Sequence, residues 1–141
     1  MRDAVICAAG RTPVGKRGGG LSGVHAVDLS ATVLDALVER TGLDPAVVED
    51  VFWGCVSQVG EQTFNIARNA VLAAGWPESV PGTTIDRQCG SSQQAVAFAA
   101  ATVISGQADV VVAGGQESMT QAPHLLPNSR VGTKYGDATL V

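Results

Sequence analysis

Apolar positions along the 141-residue chain follow two alternating rhythms. Ala4–Ala8 is a short apolar run bounded by Gly10 and Pro13, which predicts a buried strand followed by a glycine-dense loop, RTPVGKRGGG. From Val27 to Glu39 the apolar residues Val27, Leu29, Val33, Leu34, Leu37 and Val38 approximate a 3.6-residue period, and Gly42 stops the helix. A helical turn after Pro45 leads into VFWGCV from Val51, whose branched and aromatic residues predict a second strand. Helical spacing returns over Asn65–Ala74 with Ile66, Ala67, Ala70, Val71 and Ala74, closed by Gly75 and Pro77. Thr83–Arg87 predicts a strand, Gly90 a sharp turn, Ser91–Ser105 a helix, and Val110–Ala113 a fourth strand ended by Gly114 and Gly115. The expected order is βαβαβαβ with no internal repeat: an α/β protein with helices on both faces of the sheet.

Composition narrows this picture. A chain of this length buries roughly two thirds of its unfolded surface, enough for one core without metals or disulfides. Only 4% of residues are aromatic while 17 are Gly, so that core must be built from Ala, Val, Leu and Ile packed against backbone. The net charge of -4 and the scattered cations argue against a nucleic-acid-binding protein. The apolar helical stretch 95–104 is about half the roughly 20 residues needed to cross a bilayer. The N-terminus lacks the pattern of a signal peptide, so a soluble, cytoplasmic protein is expected. Cys7, Cys55 and Cys89 form neither an even disulfide set nor a metal-binding spacing, even with His25 and His124, which fits a reducing compartment and no metal site.

The chemistry concentrates in TIDRQCGSSQQAV, which places Cys89 between a predicted strand and a predicted helix, beside the small residues Gly90, Ser91 and Ser92. Backbone N–H groups in a helix's first turn stabilise a thiolate and can receive developing oxyanion charge, so Cys89 is a candidate nucleophile. The competing reading is a buried structural thiol in an alanine-rich core. Cys7 and Cys55 sit within apolar strand runs, where core packing is expected. Asp86 reads as a turn or capping carboxylate rather than a general base. The GKRGGG loop matches neither phosphate-binding glycine pattern and reads as a surface loop, with Arg11 as a loop tie. His124 reads as an ordinary loop histidine.

Three motifs, RTPVGKRGG at 11–19, DRQCGSSQQA at 86–95 and GGQESM at 114–119, occur in the order and context seen in thiolases. Together they make nearly the whole chain resemble the N-terminal half of that family, which makes or cleaves 3-oxoacyl-CoA thioesters in fatty-acid and lipid metabolism. APHLLPNSRVGTKYGD at 122–137 is similar to the start of the family's loop domain, as found in acetyl-CoA acetyltransferases. The resemblance implies a thiolase fold with a mixed sheet. Residues 1–121 would form the nucleophile-bearing domain without its last strand, and 122–141 a truncated loop domain. It implies that Cys89 becomes acylated, that coenzyme A and acyl-CoA are substrates, and that no prosthetic group is used. The implied partners are acetyl-CoA, 3-oxoacyl-CoA and, at full length, further copies in a homodimer or homotetramer. The family's second catalytic cysteine and its histidines lie in the C-terminal half; Cys7, Cys55, His25 and His124 match none of them, so the chain alone is expected to be inactive. Many thiolases carry Asn where Asp86 stands, and Asp accepts the same backbone bonds without an amide to donate. The alternatives are a beta-ketoacyl synthase-like condensing enzyme acting on carrier-bound chains, disfavoured by the motif combination, and a non-catalytic thiolase-like assembly protein.

Overall fold

The computed structural model describes residues 2–122. The regular elements are α1 (Ala26–Thr41), β1 (Asp50–Gly54), α2 (Ile66–Ala73), β2 (Thr83–Ile85), α3 (Ser91–Ser105) and β3 (Val111–Gly115), with single 3-10 turns at Pro45–Val47 and Gly60–Gln62. The strands form one sheet in the order β2-β1-β3, and both pairings are parallel. Trp53 of β1 lies beside Thr84 on one side and Gly114 on the other.

The helices form where the apolar period predicts them, and local chemistry closes their ends. His25 caps α1, its Nδ1 accepting from Val27 N–H, and Gly42 ends it in the left-handed region with its N–H donating to Val38 O. At the start of α2, Asn65 accepts from Arg68 N–H and donates through its amide to Gly82 O, while Thr84 Oγ1 donates to Asn65 Oδ1. One asparagine thus begins the helix and ties it to β2.

Alternation along β1 separates two helical layers. Val51 and Trp53 belong to the core with Ala26 and Leu34 of α1 and Ile66, Ala67, Ala70 and Val71 of α2. Trp53 satisfies its indole N–H on Ser30 Oγ at 3.2 Å, so its ring is buried without an orphaned donor. On the other face, Phe52 borders Phe98 and Ala101 of α3. Helices therefore cover both faces, as the sequence predicts.

Two expectations are corrected. Ala4–Ala8 is not a strand: Val5 and Ile6 are 77% and 83% exposed, and Cys7, expected in the core, is exposed too. Apolar residues form a buried strand only beside a partner with free N–H and C=O groups. This segment pairs with neither sheet edge and is held instead by an Arg2–Asp109 ion pair and by Arg40 Nη1 donating to Ala9 O. The order among the described residues is therefore αβαβαβ, and since all three strands are parallel, the antiparallel part of the expected mixed sheet is not among them. The expected start of a loop domain at 122–141, with His124, lies outside the described residues apart from Ala122.

Candidate active site

In a parallel sheet the loops leaving the carboxyl ends of the strands gather on one edge, and ligand sites form there. Here that edge carries Cys55–Gln58 after β1, Asp86–Gly90 after β2 and Gln116–Ser118 after β3. Cys89 belongs to the loop after β2, exposed, two residues before α3.

The turn that presents Cys89 is held from both ends. Gln88 has φ 42°, a left-handed conformation that costs a residue with a Cβ about 1 kcal/mol or more and persists only when its surroundings enforce it. Asp86 Oδ1 accepts from Gln88 N–H at 3.0 Å and from its side-chain amide at 3.1 Å. From the helix side, Ser91 Oγ accepts from Arg87 N–H at 3.0 Å and donates to Gln88 O at 2.8 Å. Asp86 is thus the turn carboxylate the sequence suggests, and an acceptor is all that its backbone bond requires.

Where the first turn of α3 meets β1 and β3, the strands end in glycine. A Cβ on Gly54 would lie 2.4 Å from Ser92 N, and one on Gly115 would lie 2.1 Å from Ser92 Oγ. Neither distance is physically tolerable, so both positions need glycine for the first turn of α3 to rest on β1 and β3.

The loops after β1 and β3 are joined by a polar cluster. Val56 N–H donates to Glu117 Oε2 at 2.8 Å and Ser57 N–H to Glu117 Oε1 at 3.1 Å. Gln62, 1% exposed, donates to both Glu117 Oε1 and Ser57 O, and its own carbonyl accepts from Gln116 Nε2 and Ser118 N–H. Gln116 N–H donates to Gly54 O. Burial would push the Glu117 carboxyl up, but the hydrogen bonds from Val56, Gln62 and Ser57 outweigh it and hold it below its ordinary value, so the group is a carboxylate at neutral pH.

Cys55 sits beside this cluster and is 1% exposed. Burial, and then the negative charges of Glu117 and Asp86, push its thiol up to about 12. It is a neutral packing group, as its place in an apolar run suggests. His25 is committed to capping α1. Arg11 donates to Thr12 O, a loop tie, and Lys16 O accepts from Gly19 N–H in an exposed turn. Among the described residues no His, Cys, Asp and Glu cluster could hold a metal ion, and no helix is long and apolar enough to cross a membrane. Reading the sequence alone misses Gln88, Ser91, Gln62 and Glu117 as determinants of the site. Ser91 had a local signal in its helix-start position, whereas the partners of Glu117 lie 55 to 61 residues away and leave no periodic trace.

A parallel sheet between two helical layers, with an exposed cysteine turned out before a helix that rests on glycines, defines an α/β protein with a nucleophile candidate at its strand ends. The family described as "Thiolase, N-terminal domain" matches residues 4–141. The chain belongs to the thiolase family. It is 54% identical over 136 residues to a steroid 3-ketoacyl-CoA thiolase of Mycobacterium tuberculosis, covering 96% of this chain and 33% of that protein. It is 48% identical over 141 residues to an acetyl-CoA acetyltransferase of Cupriavidus necator, covering all of this chain and 36% of the relative. The crystal structure of the Bacillus anthracis acetyl-CoA acetyltransferase superimposes with a TM-score of 0.86 at 42% identity, over 99% of this chain and 35% of that one. The chain thus spans about a third of the length of the relatives it matches.

Proposed function

We propose that the full-length protein transfers acyl groups between coenzyme A thioesters, as an acetyl-CoA C-acetyltransferase or related 3-oxoacyl-CoA thiolase, with Cys89 as the acyl carrier. The observation that carries this reading is the exposure of Cys89 on an enforced turn at the strand ends of a thiolase-family domain. In the first half-reaction the Cys89 sulfur attacks the thioester carbonyl, and the tetrahedral oxyanion collapses to acyl-cysteine. The coenzyme A thiolate leaves and takes a proton. In the second, an acyl-CoA that has lost an α-proton attacks the acyl carbon; a carbon-carbon bond forms and Cys89 is released as thiolate. Degradation runs these steps backwards, with coenzyme A accepting the acyl group.

The proton transfers need an acid and a base. Cys55 is buried and neutral and His25 is a helix cap; following the resemblance to thiolases, whose second cysteine and histidines lie in the C-terminal half, we assign those roles to that half of the full-length protein and expect the chain alone to be inactive. The domain division near residue 121, a homodimeric or homotetrameric assembly and a cytoplasmic location belong to the same proposal.

An acyl-enzyme intermediate makes the first half-reaction reversible without the second substrate. Full-length protein should therefore exchange labelled coenzyme A into acetyl-CoA, and Cys89→Ser should lower that exchange by roughly 10³-fold or more. Exchange at the unsubstituted rate in Cys89→Ser would refute the assignment. Acylation from a carrier-bound thioester, with none from acetyl-CoA, would favour a beta-ketoacyl synthase-like enzyme instead.

A further inference from the structure

Both strand ends that support the nucleophile turn are tied to one carboxylate. Glu117 follows β3 by two residues and binds the N–H groups of Val56 and Ser57, the second and third residues after β1. Between these bonds and the strands, Gln116 N–H donates to Gly54 O at 3.0 Å, so the two chain segments are joined at successive points. Gln62 locks the junction from below, bonding Glu117, Ser57, Gln116 and Ser118 with a side chain that is itself buried. The joined segments end in Gly54 and Gly115, and these are the positions where a single added carbon would collide with Ser92. Ser92 is in the first turn of α3, three residues after Cys89.

We propose that Glu117 is a positioning residue for Cys89. By fixing the spacing between the ends of β1 and β3, it sets the depth at which the first turn of α3 rests on the sheet, and with it the place of the cysteine before that turn. Backbone N–H groups of a helix act on a neighbouring atom only within about one turn, so a small displacement of α3 against the Gln88 turn changes how the Cys89 sulfur sits against them and how readily it is alkylated. The contacts run through backbone and glycine, which explains how a residue that does not touch the nucleophile controls it. The inference rests on Cys89 being the acyl carrier, but its test does not require acyl transfer.

The test is the rate at which iodoacetamide alkylates Cys89 in the full-length protein at pH 7, followed by peptide mapping and measured against N-acetylcysteine in the same tube. Glu117→Ala should alkylate about tenfold more slowly than the unsubstituted protein. Glu117→Gln keeps one carbonyl acceptor for the Val56 and Ser57 N–H groups and should be only about threefold slower, a partial rescue. Unfolding would free Cys89 for ordinary solution reactivity in both proteins and erase that gradation, so circular dichroism accompanies each measurement and the Gln variant carries the test if the Ala variant is unfolded. Alkylation of folded Glu117→Ala at the unsubstituted rate or faster, or of folded Glu117→Gln where the Ala variant is unfolded, overturns the proposal even if the melting temperature falls, because the carboxylate would then be only a structural tie. In parallel, failure of the unsubstituted protein to form acyl-Cys89 from acetyl-CoA would remove the functional reading while leaving the alkylation comparison intact.

Discussion

Cys55 and Cys89 both follow a strand at the carboxyl edge of the same sheet, yet the structure gives them opposite characters. Cys55 continues directly from β1 into a loop held by Glu117, points into the core, and is kept neutral by burial and by neighbouring negative charge. Cys89 comes after a hinge: Asp86 turns the chain, Gln88 adopts a left-handed conformation, and the thiol emerges in front of α3. The lesson is that a strand end alone does not present a thiol to solvent. Cys89 is exposed because a turn lifts it off the sheet ahead of a helix, and that exposure is what its proposed role needs.

If that contrast depends on α3 resting on bare backbone, Gly54→Ala should disturb it most. The added methyl carbon would lie 2.4 Å from Ser92 N and 2.6 Å from Ser91 C, both backbone atoms that no rotamer change can move. The substitution should destabilise the full-length protein by about 2–3 kcal/mol in urea denaturation. It should also reduce acetyl-CoA-dependent acylation of Cys89 by more than tenfold under conditions where the protein remains folded. Unaltered acylation would mean that the glycine floor does not set the nucleophile's position.

A smaller effect is expected at the other thiol. Cys55→Ala should cost roughly 1 kcal/mol at pH 7, the removal of a small buried group, and should leave the rate of Cys89 acylation within about twofold. The sharper signature is alkaline. The folded-state value of Cys55 is raised to about 12 from an ordinary 9.0, so its contribution to stability is complete below pH 9. It is lost progressively as pH rises from 9 towards 12, because the unfolded thiol ionises first and the unfolded state then binds fewer protons. Denaturation midpoints measured between pH 7 and 11 should therefore fall less steeply in Cys55→Ala than in the unsubstituted protein. Parallel curves would show that Cys55 is not the insulated neutral thiol described here.

Much of this architecture is legible in the sequence because it is local. The period of Val27 to Val38 locates α1, the alanine-rich run after Gly90 locates α3, and the VFWG and VVVA runs locate β1 and β3, although Gly114 and Gly115, expected to end the last strand, lie within β3. β2 is shorter than its expected span of 83–87, because Asp86 begins the hinge and bends the backbone away from the sheet. Ala4–Ala8 reads as a strand because apolar runs report burial only when a partner exists, and a partner strand is a property of the fold rather than of five residues. The position of Cys89 at a strand-to-helix junction is equally local, and so is legible. Its support is not: Gln88 gives no hint of a left-handed conformation, and the Gln62 and Glu117 cluster is assembled by the parallel sheet from segments more than fifty residues apart.

The central claim concerns which thiol carries the acyl group, and peptide mapping by mass spectrometry after incubating full-length protein with acetyl-CoA addresses it directly. The structure predicts a 42-Da acetyl increment, the mass of the added C2H2O, on the peptide containing Cys89, with Cys55 and Cys7 unmodified. An acetyl group on Cys55 or Cys7 in place of Cys89 would contradict it.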